Sequence, residues 1–294
     1  MAKLLRYMVV LALLGGAAFW WLTRPVGVDA ARFADLTGDA TRGETVFWAG
    51  GCASCHAAPE ATDEARLVLS GGYRMVSPFG TFLAPNISPS PQGIGGWSTA
   101  DLAGALLAGV SPEGQHLYPA LPYAAYRNMT AQDLVDLKTF LDTLPPSDVA
   151  SLPHEVGFPF TLRRGIGLWK WLNLPEGWVM GDPPSPEAER GRYLVEALGH
   201  CGECHTPRNI TGGLDRGRWM QGAPNPSGKG KIPAIHPAEL TWSATDIAYY
   251  LETGFTPEFD SAGGSMTSVV RNMAHLTPED RGAIAAYLKA LPGG

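Results

Sequence analysis

The sequence is poor in cysteine, in charge and in strand-like pattern. Only four of its 294 residues are cysteine, and Lys, Arg, Asp and Glu together make up 17%. The net charge of −6 argues against binding to nucleic acid or to an anionic membrane surface. No segment alternates apolar and polar residues convincingly, which argues against a fold built on half-buried sheets. Glycine (36) and proline (25) are plentiful instead, as is typical of a chain rich in loops.

All four cysteines fall in two C-x-x-C-H motifs, at 52–56 and 201–205. The motif residues are Cys52, Cys55 and His56 in the first, and Cys201, Cys204 and His205 in the second. Two thiols at this spacing can each form a thioether with one haem vinyl, and the adjacent histidine then reaches the iron. A zinc site would gather four ligands, and a redox-active C-x-x-C would not need the histidine. The pattern therefore predicts two covalently bound haem c groups and leaves no cysteine for a disulfide or a catalytic thiol.

The N-terminus has the pattern of a targeting segment. Lys3 and Arg6 precede a sixteen-residue apolar run at 7–22, which ends in two tryptophans and a leucine. That length lies between a signal-peptide core and a full membrane span of about 20 residues. Because no clean A-x-A cleavage site follows, an uncleaved signal anchor is favoured over a cleaved signal. The leading basic residues place the N-terminus inside, so we expect an inner-membrane anchor with the rest of the chain in the periplasm.

The two halves of the sequence repeat each other in four blocks. Arg42-Gly43 matches Arg190-Gly191, Ala84-Pro85-Asn86 matches Ala223-Pro224-Asn225, Trp97-Ser98 matches Trp242-Ser243, and Thr130 matches Thr277 at an offset of 147. The recurring serines and threonines have the pattern of helix N-caps. The recurring tryptophans and asparagines either donate hydrogen bonds to haem propionates or only pack and turn the chain.

This organisation resembles the all-α cytochrome c domain, present twice. We therefore expect two tandem class I cytochrome c domains after an N-terminal transmembrane helix. The predicted segments are an anchor at 1–24, a linker at 25–38, a first domain at 39–148, an aromatic, proline-rich connector at 149–185 and a second domain at 186–294. A short connector helix around 162–172 is expected to pack across both domains.

The sixth iron ligand of a cytochrome c haem is usually a methionine sulfur, which raises the reduction potential. In the first unit Met129 directly precedes the Thr130 cap, and the alternative is that it is a core residue. The second unit offers Met266, on a glycine-rich loop, and Met273. Met273 repeats the Arg-Asn-Met string of Met129, but the 147 offset aligns Met129 with Leu276, so Met266 is favoured. The alternative ligands are His116, His200, His236 and His275.

Several longer strings resemble one family closely. They are HLYPALPYAAYRNMTAQDL, FPFTLRRGIGLW, RGRYLVEALGHCGECHTPRN and SMTSVVRNMAHLTPEDRGAIAAYLKALP. The chain is similar to the membrane-anchored multihaem cytochrome c subunits of periplasmic alcohol and gluconate dehydrogenases. The resemblance implies that Met266, which precedes a Val-Val pair, ligates the second haem. Many members have methionine in place of Leu121, which makes Met129 the remaining candidate for the first haem; large members carry three haems, whereas two motifs are present here.

The favoured function is that of an electron carrier rather than a catalyst. Two haems would take single electrons from a dehydrogenase or a quinol-oxidising complex and pass them to a small cytochrome or a terminal oxidase. The alternative is a dihaem enzyme of the peroxidase or thiosulfate-oxidising type, which needs one open or labile haem.

Overall fold

The computed structural model describes residues 1–225 and 230–292, and helices dominate it. Residues 226–229 and 293–294, which fall in the predicted second domain, lie outside the described residues. The helices before the connector are α1 (Ala2–Leu22), α2 (Ala40–Ala49), α3 (Cys52–His56), α4 (Thr99–Ala103), α5 (Tyr123–Tyr126) and α6 (Ala131–Leu141). Those from the connector onward are α7 (Arg164–Asn173), α8 (Pro186–Arg192), α9 (Gly202–His205), α10 (Ala244–Thr253), α11 (Met266–Met273) and α12 (Pro278–Ala290). α4 and α8 continue as π-helical segments, Gly104–Ala108 and Tyr193–Leu198.

Each unit also contains one short antiparallel hairpin that the sequence pattern did not predict. The strands are β1 (Arg74–Ser77) with β2 (Gly80–Leu83), and β3 (Ala223–Pro224) with β4 (Lys231–Ile232). Strands of four and two residues are too short to show an apolar–polar alternation. The helical fold class is therefore confirmed, with two small hairpins added to it.

The first and last helices of each unit cross at a glycine. A Cβ atom on Gly43 of α2 would lie 2.0 Å from the Asp136 carbonyl oxygen of α6. A Cβ atom on Gly191 of α8 would lie 1.9 Å from the Ala283 carbonyl oxygen of α12. The two recurring glycines thus allow backbone-to-backbone contact at equivalent crossings, and the same crossing geometry is built twice.

The arginine before each glycine ties the same two helices together. Arg42 Nε lies 2.7 Å from Asp136 Oδ2, and the Asp136 carboxylate is fully buried. Arg190 Nε lies 2.7 Å from Asp280 Oδ1. The repeated Arg-Gly pair therefore has a structural cause, because one residue pairs with an acid on the terminal helix and the next permits its close approach.

The predicted N-caps are confirmed in both units. Ser98 and Ser243 form capping boxes with Asp101 and Asp246, while the Thr130 and Thr277 hydroxyls accept from the backbone N–H groups of Asp133 and Asp280. Each cap satisfies backbone donors that the first helical turn leaves free. These caps set the first residues of the helices on either side of the segments that contain the candidate methionine ligands.

The connector helix α7 contacts both units, as expected from the sequence. The Lys170 ammonium group donates to the Ala108 and Gly109 carbonyl oxygens of the first unit, at 2.6 and 2.7 Å. The Trp169 indole N–H donates to the Thr211 carbonyl oxygen of the second unit at 2.9 Å. The connector is therefore an ordered brace between the units.

The helix crossings generate a stability prediction. Gly43→Ala should destabilise the protein by about 3 kcal/mol, because the added methyl would overlap a backbone oxygen that cannot rotate away. Gly191→Ala should do the same in the second unit. The measurement is the midpoint of thermal unfolding of the haem-loaded full-length protein.

Gly96→Ala is the matched control, since a Cβ atom there would meet nothing within 4 Å. It should leave the midpoint unchanged or raise it slightly. Equal effects of Gly43→Ala and Gly96→Ala would contradict the account of the crossing.

Candidate functional site

The two C-x-x-C-H motifs each form a short helix entered through a left-handed residue. α3 covers the whole first motif, and Gly51 before it has φ of 68°. In the second unit His200 precedes Cys201 and has φ of 41°. A left-handed residue at this place changes the direction of the chain between the preceding helix and the motif. The cysteine pair and the histidine of each motif then share a single turn of helix.

Each motif histidine is held by a prolyl carbonyl group. His56 Nδ1 lies 2.8 Å from the Pro85 oxygen, and His205 Nδ1 lies 2.8 Å from the Pro233 oxygen. A carbonyl oxygen can only accept, so Nδ1 carries the proton in both rings and Nε2 keeps its lone pair. Burial lowers the pKa of both imidazoles, which favours the neutral form that binds metals.

A glycine positions each prolyl carbonyl. The Gly71 N–H donates to the His56 carbonyl oxygen at 2.7 Å, and the Gly222 N–H donates to that of His205 at 2.8 Å. Both glycines have positive φ, 76° and 78°. A Cβ atom on Gly71 would lie 2.7 Å from the Pro85 oxygen, and one on Gly222 would lie 2.8 Å from the carbonyl oxygen of Ile232. These cradles have no space for a side chain.

The cradles correct one of the sequence repeats. The structural counterpart of Ala84-Pro85 is Ile232-Pro233, because these are the prolines that contact the motif histidines. The match of Ala84-Pro85-Asn86 with Ala223-Pro224-Asn225 was therefore wrong, since the two loops differ in length. The Ala-Pro-Asn string at 223–225 resembles that at 84–86 by chance, and Pro224 lies nine residues before the proline that contacts His205.

Asn86 also has a different task from the propionate contact considered above. Its amide donates to the Ser147 and Val149 carbonyl oxygens, both at 2.8 Å, and its Oδ1 accepts from the Ser88 N–H. Both amide hydrogens are thus committed to the start of the connector. Asn86 fastens the loop that follows the first motif to the chain segment that follows α6.

The cysteines fit thioether attachment better than a redox or zinc site. Burial raises the pKa of the free thiols of Cys52 and Cys201 to about 12, and that of Cys55 to about 11. A redox-active C-x-x-C has a lowered thiol pKa instead. Among the described residues, no group of three or more Cys, His, Asp or Glu side chains could hold a metal ion. One oriented imidazole beside two cysteines is the donor set that suits a haem.

Backbone hydrogen bonds align the two methionine loops. The Leu117 N–H donates to the Gly109 oxygen in the first unit, and the Ala262 N–H donates to the Gly254 oxygen in the second, both at 2.8 Å. This pairing sets an offset of 145 between the two units in these loops. At that offset Met266 of the second unit is equivalent in position to Leu121 of the first. The structure thus supports the view that the first unit has leucine at the position where the second has a methionine.

Met129 occupies a different position, in the turn before α6. Its N–H donates to the Tyr126 carbonyl oxygen, as the Leu276 N–H does to that of Met273. Met129 is 5% exposed and Leu276 is 4% exposed, so the position is buried in both units. Met273 is buried as well, whereas Met266 is partly exposed at the first residue of α11.

Two of the four alternative histidines have both ring nitrogens engaged. His116 contacts the Thr23 oxygen at 2.8 Å and Lys170 Nζ at 3.1 Å. His236 contacts the Pro292 oxygen at 2.6 Å through Nε2 and accepts from the Ala238 N–H through Nδ1. Neither ring has a nitrogen left for iron. The remaining two, His200 and His275, lie between the units.

The two attachment segments lie against each other. The Tyr126 hydroxyl donates to the Gly50 oxygen at 2.5 Å, just before the first motif. The same ring meets His200 edge-on, with centroids 5.6 Å apart, just before the second motif. One buried aromatic side chain therefore touches the segments that lead into both motifs, and the haem-bearing edges of the two units face a common interface.

Polar and stacked contacts continue this interface on the side of α11. The Asn272 amide donates to the Ser54 hydroxyl at 2.8 Å, inside the first motif, and Asn272 Oδ1 accepts from Arg66. The Trp48 and His275 rings stack at 3.8 Å with planes 4° apart. The interface is specific on both sides, which fixes the distance between the two motifs. The sequence did not predict this interface, because the alignment of the two repeats carries no information on the contacts between them.

A family model described as cytochrome c matches residues 40–145 and 188–292. The protein called "Diheme cytochrome c-type" from Cereibacter sphaeroides is 61% identical over 285 residues, which are 97% of this chain and 96% of that protein. The fructose dehydrogenase cytochrome subunit of Gluconobacter japonicus is 35% identical over 86% of this chain. The alcohol dehydrogenase (quinone) cytochrome c subunit of Gluconobacter oxydans is 30% identical over 93% of it. The chain spans only 52% and 60% of these two subunits.

The glycine cradle generates a prediction about the motif histidines. Gly71→Ala should push the Pro85 carbonyl group away from His56 and raise the reduction potential of one haem, because the imidazole loses an acceptor that strengthens its donation to iron. Gly222→Ala should affect only the other haem. The measurement is a spectroelectrochemical titration of the full-length protein.

Gly72→Ala controls for backbone strain. Gly72 also has positive φ, 99°, but the nearest atom to an added Cβ would be a Pro59 side-chain carbon at 3.5 Å. This variant should leave both potentials in place. A shift as large as that of Gly71→Ala would show that strain alone, and not the carbonyl contact, sets the effect.

Proposed function

Because this chain belongs to the cytochrome c family and carries two covalently bound haem c groups, we propose that it relays electrons on the periplasmic side of a membrane. We assign the thioethers to Cys52, Cys55, Cys201 and Cys204, and the proximal ligands to His56 and His205. A haem held by these residues would supply one one-electron redox centre in each unit. The observation that carries the proposal is the pair of oriented imidazoles, each with Nδ1 on a prolyl oxygen at 2.8 Å.

The interface between the units supports transfer within the chain. Tyr126 touches both segments that lead into the motifs, and Asn272 of the second unit reaches Ser54 inside the first motif. The helix α7 adds contacts with both units, through Lys170 to the first and Trp169 to the second. A fixed, buried approach between attachment segments is what a two-centre carrier needs, since its residues must keep water out and keep the spacing constant.

We propose Met266 and Met129 as the distal ligands. Met266 stands at the first residue of α11, after a loop with two adjacent glycines, so its side chain has room to approach a metal. Met129 is buried in the turn before α6. The soft thioether would raise both potentials and would suit a carrier that accepts electrons from a dehydrogenase.

The membrane position is part of the proposal. α1 is long and apolar enough to cross a bilayer, since 18 consecutive residues of it have a mean hydropathy of 1.6 and none of them is buried. Lys3 and Arg6 near its start favour an inside N-terminus. We propose a retained anchor in the inner membrane, with both haem units in the periplasm.

The names of the relatives suggest the partners. Several are cytochrome subunits of dehydrogenases for fructose, gluconate and alcohol. We propose that this chain likewise receives electrons from a dehydrogenase or a quinol-oxidising complex and passes them to a small cytochrome or a terminal oxidase. Two haem units that pack against each other, as the two motifs do here, suit a relay between two such partners.

One observation favours a second function. Leu121 is at the position equivalent to Met266 and cannot ligate iron, so the first haem depends on Met129 for its sixth ligand. If Met129 only packs, as Leu276 does at the equivalent position, one haem is open. The protein would then be a dihaem enzyme of the peroxidase or thiosulfate-oxidising type.

The proposed methionine ligands can be tested with Met→Leu variants, which remove the sulfur and keep a side chain of similar size. Met129→Leu and Met266→Leu should each lower the potential of one haem by on the order of 100 mV, since axial ligands set haem potentials over about 0.8 V. Leucine already stands at the equivalent positions 276 and 121, so packing should survive. The measurement is a redox titration that resolves the two haems.

Met273→Leu is the matched control and should leave both potentials unchanged. If Met266→Leu has no effect and Met273→Leu lowers a potential, the assignment for the second haem is wrong. If Met129→Leu leaves both potentials unchanged, the first haem has no methionine ligand and the enzyme alternative gains.

A further inference from the structure

The connector helix α7 is amphipathic, but its charged side chains face the protein and its apolar side chains face outward. Its charged side chains turn inward, where Lys170 donates to two carbonyl oxygens of the first unit at 2.6 and 2.7 Å. Arg164 donates to the Trp20 carbonyl oxygen and, at 3.1 Å, to the Thr23 hydroxyl. Both cations are thus committed to backbone and hydroxyl oxygens beneath the helix. They contribute little to its outer face.

The outer face of α7 is apolar. Leu168, Trp171 and Leu172 are 43%, 75% and 54% exposed, and their spacing of three and four residues places them on one side. Just before the helix, Phe158 and Leu162 are 81% and 61% exposed. A helix on an aqueous surface shows the opposite pattern, and an exposed apolar patch of this kind marks an interaction site.

This patch is continuous with the end of the membrane span. Trp171 lines one cleft together with Leu22 and Val26. Thr23, directly after α1, is 2% exposed, and its carbonyl oxygen lies 2.8 Å from His116 Nε2. The first unit, through His116, and α7, through Arg164, therefore both bind the chain at Thr23, where the span ends. Exposed apolar side chains lie on both sides of this cleft, at the end of the span and on α7, and Arg24 and Arg127 line it as well.

The height of this junction follows from the length of α1. Its apolar run at 7–22 extends roughly 24 Å at 1.5 Å per residue, and the first turns, which carry Lys3 and Arg6, bring the whole helix to roughly 31 Å, against a hydrocarbon core of about 30 Å. Trp20 and Trp21, 66% and 62% exposed, lie at the end where tryptophans occupy the headgroup region. Because Arg164 contacts Trp20 directly, the first turn of α7 lies within one side-chain length of that level.

We propose that α7 lies in the outer headgroup region of the bilayer, with Leu168, Trp171 and Leu172 inserted among the lipids. The occupant of the apolar patch is the membrane itself, in continuity with the span. This inference rests on the proposed anchor and adds a second point of attachment to it. Two points fix the orientation of the dihaem units, whereas a single span would let them swing.

The test uses the full-length, haem-loaded protein with one introduced cysteine. The native cysteines are consumed as thioethers, so a thiol-reactive nitrobenzoxadiazole label reports only the new site. The variants are Leu172→Cys on α7, Trp21→Cys at the span end and Phe259→Cys on a loop of the second unit, where Phe259 is 91% exposed. Each is reconstituted into phosphatidylcholine vesicles with plain or nitroxide-labelled acyl chains, since a nitroxide quenches the label on contact.

The labels at positions 21 and 172 should lose most of their fluorescence in nitroxide-labelled vesicles relative to plain ones, while the label at position 259 should keep it. Quenching at 21 but not at 172 would overturn the interfacial placement of α7 and leave the anchor intact; the patch would then be free for a protein partner. No quenching at position 21 would show that the anchor itself has failed to insert, and both proposals would fall.

Discussion

The hydrogen bond from each motif histidine to a prolyl carbonyl group is the constraint on which the rest of the site depends. It fixes the tautomer and the plane of the imidazole, and it leaves one nitrogen for iron. To make that bond, the loop after each motif must return to the histidine at a set distance. A glycine of positive φ and a short hairpin achieve this return in both units, although the two loops differ in length.

The duplication has a simple physical logic. Each unit repeats what a haem domain cannot vary: the Arg-Gly helix crossing, the capped helices and the motif with its prolyl acceptor. The helices that meet between the units do repeat, since α5 of the first unit packs on the second and α11 of the second packs on the first. The side chains that join them differ: Tyr126 contacts Gly50 and His200, Asn272 contacts Ser54, and Trp48 stacks on His275. A single chain thus combines two similar redox centres with one specific interface between them.

The residues with local causes could be predicted from the sequence. The motifs, the N-caps, the apolar helix α1 and the connector helix each have a signature in a few adjacent residues. The Pro233 acceptor was missed, because a similar Ala-Pro pair stands nine residues earlier and only folding shows which proline reaches His205. The roles of Asn86 and of the inward charges of α7 were missed for the same reason. Asn86 meets Ser147, 61 residues away, and Arg164 meets Trp20, 144 residues away, and composition and periodicity carry no information on such pairs.

The central claim is that both irons are closed by two protein ligands, which makes the protein a carrier. The most direct test is a carbon monoxide difference spectrum of the dithionite-reduced, full-length protein. The account predicts no spectral change, because a bound methionine leaves carbon monoxide no open position on either iron. Stoichiometric binding at one haem would contradict it, and the unit with Leu121 would be the first candidate for the open site.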